Sequence, residues 1–143
     1  MSTHRIHIFI SHSWAYSSHY ETLCEWIYSR VWRFGQASLV FADYSVPKDD
    51  PIHDAPTEGA LMDAILRKIA RSHVVVIPTG MYATYSKWIA KEILGAGEKG
   101  KPILAVNPWG QQRRSVVVAD AAGKIVGWNR QSVVGGIWEL YRQ

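Results

Sequence analysis

The stretch "HVVVIPT", His73 to Thr79, decides the fold. Val74, Val75, Val76 and Ile77 form a continuous apolar run with no polar alternation. A run of this kind marks a central parallel strand covered on both faces. A parallel strand needs a crossover on each side, and both flanks supply one. Upstream, helical spacing runs from about Thr57 to Arg71 with Leu61, Ile65 and Ile69 inward. Downstream, "YSKWIAKEI" (Tyr85 to Ile93) puts Ile89 and Ile93 on one helical face, and that helix closes in "GEKG".

The pattern continues in both directions. "RIHIFI" (Arg5 to Ile10) reads as a first strand that ends in the polar run "SHSWAYSS". A helix follows with Ser18 as N-cap and Glu21 three residues on. Tyr20, Leu23, Cys24, Ile27, Val31 and Phe34 keep its period, and Gly35 is its expected stop. "SLVFA" (Ser38 to Ala42) is a second strand, followed by the long loop "DYSVPKDDPIHDAPTEG". That length marks a functional or mobile segment. "PILAVN" and "KIVGW" supply a fourth and a fifth strand, separated by a short helix in "RRSVVVADAAG" that ends at Gly123. A last helix runs from about Ser132, with Val133, Ile137 and Leu140 or Tyr141 inward. Strands alternating with helices predict an α/β three-layer sandwich over residues 1–143, flavodoxin-like, with a five-stranded parallel sheet of order 2-1-3-4-5. Ligands bind such sheets beyond the carboxyl ends of the first and third strands, where the crossovers diverge.

Bulk properties narrow the function. The 143 residues are 48% hydrophobic, enough for one core. The net charge of +4 is scattered, with Arg113-Arg114 the one tight pair, which does not suit duplex nucleic acid. One cysteine, Cys24, excludes an internal disulfide and a cysteine zinc cage. No leader-like segment or membrane-length apolar run is visible, so a cytoplasmic protein without a membrane partner is expected. The six histidines lack metal spacing, and no metal is expected.

Several chemistries are excluded by what is missing. The chain has no Gly-x-x-x-x-Gly-Lys loop, no Gly-x-Gly-x-x-Gly and no Gly-x-Ser-x-Gly elbow. Ser11-His12 and Pro78-Thr79 stand where a phosphorylation receiver of this fold needs acidic residues. One carboxylate and one aromatic remain on the helix that leaves the crevice. Glu92 follows Trp88 by four residues, so the two share a side of the helix. This places Glu92 two turns or less from the helix start, within ~10 Å of it. A solvated rim carboxylate paired with a lysine is the structural alternative, and in that position it contributes little to stability. The sparse set is compatible with cleavage of the ribose–nicotinamide bond of NAD+. Nicotinamide leaves as a neutral molecule, so no general acid is needed, and a single carboxylate can stabilise an oxocarbenium-like transition state.

Five segments together resemble a TIR-like domain of the short prokaryotic type associated with Thoeris anti-phage systems: "HIFISHSW", "DYSVPKDDP", "GMYATYSKWIAKEI", "KPILAVNPWGQ" and "IVGWN". They span nearly the whole chain in the family's order. The resemblance implies that Glu92, in the Trp-x-x-x-Glu-Ile core, is catalytic. It implies release of nicotinamide from NAD+ as substrate, with no separate cofactor. A cyclic or conjugated ADP-ribose signal then activates a separate effector. Ser11, His12 and Trp14 match the loop that borders the nucleotide in TIR enzymes; forming the turn into the helix is their alternative role. Thr79 lies in the loop after the third strand, on the same crevice. Asp43 and Tyr44 begin the loop used for assembly and gating, although Asp43 could simply cap a turn. Ser86 touches ligand or caps the helix. Trp109 and Trp128 read as packing residues. Self-association through the loop from Asp43 to Gly59 is implied as well. The cysteine often found after the tryptophan of the motif is Ile89 here, so control through that thiol is not expected.

Two other readings remain. One is a non-catalytic TIR assembly module working through the long loop. The other is a nucleoside deoxyribosyltransferase-like enzyme, which also uses a glutamate on a related fold; the TIR-specific segments argue against it.

Overall fold

The computed structural model describes residues 2–11, 18–43, 58–79, 82–107 and 116–143, with the side chains of 18, 58, 61, 82–88 and 116 outside the description. Its strands are β1 (Ser2–Ile10), β2 (Trp32–Phe34), β3 (Ala37–Asp43), β4 (Val74–Pro78), β5 (Ile103–Asn107) and β6 (Lys124–Gly127). The helices are α1 (Ser18–Tyr28), α2 (Glu58–Arg71), α3 (Tyr82–Glu98), α4 (Val116–Ala121) and α5 (Arg130–Arg142). The sheet is six-stranded, in order β2-β3-β1-β4-β5-β6. All neighbours are parallel except β2, which runs antiparallel to β3.

The sixth strand corrects the expected five-stranded, all-parallel order. The sequence period suggested that α1 would continue to Phe34, but it ends at Tyr28. Val31 is more than half exposed, whereas Trp32 is buried and its indole N–H donates to the carbonyl of Trp26 at 3.1 Å. Trp26 lies in the last turn, where helix carbonyls lack partners within the helix, so the indole covers one of them. "WRF" then alternates buried, exposed and half-buried along β2. Gly35 is not a helix stop. With φ of 60° it is the first central residue of a two-residue turn that pairs Phe34 with Ala37. Glycine suits that position because positive φ carries no Cβ penalty there. At the other end of the chain, α5 starts at Arg130, two residues before Ser132, where the Asn129 side chain accepts from the Ser132 N–H and caps it.

Pleating sorts the core into two layers. Ile6, Ile8 and Ile10 of β1, Val74 and Val76 of β4, and Leu104 and Val106 of β5 face α1 and α5, where Leu23, Ile27, Val133, Ile137 and Leu140 meet them. Phe9, Val75, Ile77, Ile103 and Ala105 face the other way, against Ile65 and Ile69 of α2, Ile89 and Ala96 of α3, and Val118 of α4. All five residues of β4 are buried, as expected of a strand covered on both faces. Trp128 is half-buried and packs against the first layer, with its ring 4.7 Å from that of Trp26. Leu61 and Trp109 lie outside the described side chains. No described helix is long and apolar enough to cross a membrane.

The start of β4 is joined to β1 by two histidines. The His73 N–H donates to the His7 carbonyl at 2.7 Å, and the His7 N–H donates to His73 Nδ1 at 2.9 Å. Nδ1 therefore acts as an acceptor, which requires that nitrogen to be unprotonated. Burial, then His7, then Lys101 lower the His73 pKa. A base whose folded pKa is depressed stabilises the fold above its unfolded value and loses that contribution as pH falls through the folded value. Stability should therefore decline as pH falls below about 6.5. His73→Asn, which keeps an acceptor and cannot titrate in this range, should flatten that slope in denaturation curves between pH 7 and 5. An unchanged slope would remove His73 from the account.

Candidate functional site

The last residues of neighbouring strands share one face of the sheet. β1 pairs with β4 through Ile8–Val74, Phe9–Val75 and Ile10–Val76. Ser11 extends that ladder, donating its N–H to the Val76 carbonyl at 2.8 Å. By alternation it points with Phe9 into the layer shared with α2, α3 and α4. Thr79 points the same way as Val75 and Ile77, and its N–H donates to the Val106 carbonyl at 3.0 Å. Asn107 ends β5 on the same pleat as Ile103 and Ala105. Asn107 was not among the sequence candidates; its place at the end of β5 is the signal that points to it.

α3 brings Glu92 to this row. Ile89, Glu92, Ile93 and Ala96 recur at three- and four-residue intervals, so Glu92 occupies a core position of the helix. Gly95 lets α2 approach closely, because a Cβ there would come within 2.6 Å of Leu66 Cδ2. Glu92 and Ser11 both have 0% exposure, and the Ser11 hydroxyl donates to Glu92 Oε2 at 2.6 Å. The bond is at the short end of the range for a hydroxyl donor. The rim placement considered for Glu92 is thus replaced by full burial. Its depth changes too. α3 begins at Tyr82, so Glu92 is nearly three turns in, ~15 Å from the helix start. Ser11 is level with Ile77 by continuation of the β1–β4 register.

The other candidates separate. Thr79 is fully buried, and its hydroxyl finds no hydrogen-bond partner among the described residues. A buried hydroxyl without a partner is costly and calls for a reason, such as a ligand contact. Asp43 ends β3 with an exposed side chain that accepts from the Tyr20 hydroxyl at 3.1 Å. It pairs with Ile8, three residues short of Ser11 along the sheet, so about 10 Å lower on its edge. Burial first, then Asp43, holds the Tyr20 pKa well above the ordinary phenol value, which keeps its proton available to Asp43. Burial first, then Asp43, also pushes the Cys24 thiol up to about 11, which disfavours the thiolate. His12, Trp14 and Tyr44 lie outside the described residues. Ser86 and Trp88 fall on α3, with their side chains outside the description.

Among the described residues, no group of three or more His, Cys, Asp or Glu could hold a metal ion. A concavity of about 490 Å³ runs along β2, lined by Arg30, Val31, Trp32, Arg33, Phe34 and Gln131. It includes none of the strand-end row and lies across β3 from β1. Residues 9–113 match the family described as Thoeris protein ThsB, TIR-like domain. The chain belongs to that family. No curated protein matches it. In this TIR-like chain the matched segment contains β2 to β5, α1 to α3, and the Ser11–Glu92 pair. β6 and α5 follow it and complete the sheet and its first core layer.

Proposed function

We propose that this TIR-like protein, working as one domain over residues 1–143, cleaves NAD+ at the nicotinamide–ribose bond, with Glu92 as the catalytic carboxylate. The observation that carries the reading is the placement of a carboxylate at a core position of α3, fully buried and bonded to Ser11 at the end of β1. Burying a charge is costly unless it is hydrogen-bonded, and an apolar residue would serve packing better. A functional role explains why a carboxylate stands there.

In the proposed reaction the bond between ribose C1′ and the nicotinamide nitrogen breaks. Its electron pair leaves with nicotinamide, which becomes neutral. Glu92 stabilises the positive charge that develops on the ribose. Attack by water and loss of its proton give ADP-ribose. Attack by a nitrogen or hydroxyl of the same nucleotide gives a cyclic isomer, and another nucleophile gives a conjugate. The Thr79 hydroxyl is proposed to hydrogen-bond the nucleotide, with His12, Trp14, Tyr44, Ser86 and Trp88 as further proposed contacts; Asp43, bonded to Tyr20 on the α1 side of the sheet, is left out of this set. Because Glu92 has no exposure, the carboxylate must be uncovered before a ribose can reach it. Self-association through the loop from Asp43 to Gly59 is the proposed trigger, and the product is proposed to signal to a separate effector in anti-phage defence.

The alternative, a non-catalytic assembly module, predicts a different result in one experiment. Incubation of the assembled protein with NAD+ should release free nicotinamide, read by chromatography. Intact NAD+ at all assembly states would favour the module.

A further inference from the structure

We infer that Ser11 is a positioning residue for Glu92 and not a ligand contact. The inference rests on the reading of Glu92 as the catalytic carboxylate. Ser11 has 0% exposure, its N–H is taken by the Val76 carbonyl, and its hydroxyl proton is directed to Glu92 Oε2 at 2.6 Å. Thr79 lies one pleat further toward the carboxyl ends of the strands than Ser11, which is level with Ile77.

The bond has a mechanical consequence. The terminal torsion of a glutamate is broad and roughly two-fold. Holding Oε2 against β1 narrows that torsion and with it the direction of Oε1. The anchor is rigid because Ser11 continues a strand paired with β4, while α3 is held by Ile89 from within its own core layer and by α2 at Gly95. A hydroxyl donor also stabilises the carboxylate anion, the form that can face a developing cation. The two residues are 81 positions apart, so the link couples the first strand directly to the helix after β4.

The test is a double-mutant cycle on nicotinamide release, with thermal melts of every protein. Ser11→Ala should lower kcat by on the order of tenfold to a hundredfold, the range of a hydrogen bond to a charged group. KM should stay within about twofold, since no ligand contact is removed. Ser11→Thr, which keeps the hydroxyl, should recover most of the rate. In the Glu92→Gln background, Ser11→Ala should cost less than about twofold more, because residues acting as one unit are not additive. If Ser11→Ala does not fold, Ser11→Cys, of similar shape and with a much weaker donor, takes its place in the cycle. Equal losses in both backgrounds, or a raised KM with unchanged kcat, would overturn the positioning role while leaving Glu92 catalytic. Wild-type protein that leaves NAD+ intact in every assembly state would overturn the reading of Glu92 itself, and the role of Ser11 with it.

Discussion

Ile89→Ala is expected to destabilise the protein by about 2–5 kcal/mol, the range for removing a buried isoleucine side chain beyond Cβ. Ile89 has no exposure and sits in the layer between the sheet and α2, α3 and α4, one turn before Glu92. Its neighbours Phe9, Val75 and Ile77 come from β1 and β4, the two strands that end at the candidate site. The space left behind has rigid strand walls and can collapse only partly. For a chain of this size the melting temperature should fall by roughly 6–15 °C. Nicotinamide release should drop further than the folded fraction accounts for, because α3 would no longer hold Glu92 in register with Ser11. Urea denaturation checks the first part. A loss under about 0.5 kcal/mol, the scale of surface substitutions, would place Ile89 outside the core.

The second large effect is on chemistry. Glu92→Gln should reduce nicotinamide release by about 10²–10³, the usual cost of losing a preorganised electrostatic contact. The sequence alone suggested a rim residue with little influence on folding. Full burial gives a different basis for the stability expectation. Glutamine keeps an oxygen to accept the Ser11 hydroxyl and removes a buried charge. Neutral replacements of buried charges are often harmless or stabilising. The melting temperature should therefore hold or rise while activity falls, the pattern expected where a site trades stability for function. If Glu92 were only structural, activity would follow the folded fraction and nothing more.

The sheet's centre was legible because the signal there is redundant. Val74 to Ile77 are buried on both faces, so no register or face had to be inferred. β2 was not legible, because Ile27, Val31 and Phe34 fit a helical period while Trp32 and Phe34 equally fit a strand. The indole bond from Trp32 to the Trp26 carbonyl resolves that ambiguity, and it is a tertiary contact. The first residues of β1 were missed for a related reason. Ser2 to His4 pair with β3 through their backbones, and their polar side chains give no apolar alternation.

The site divides in the same way. Strand order alone brings the end of the first strand and the helix after "HVVVIPT" to one crevice. The Ser11–Glu92 bond has no local signal, since the two positions are 81 residues apart. The start of α3 at Tyr82 is also hidden, because "YAT" carries no stop or cap that separates loop from helix. That the Thr79 hydroxyl finds no partner among the described residues is a tertiary fact with no sequence signature.

The proposed role of Glu92 in cleaving NAD+ is tested most directly by free nicotinamide released by wild type and by Glu92→Gln, at equal folded concentration and in the same assembled state. Wild type should release nicotinamide steadily, and the variant, melting no earlier, should release it about 10²–10³ more slowly. A Glu92→Gln protein that releases nicotinamide at the wild-type rate would contradict that role.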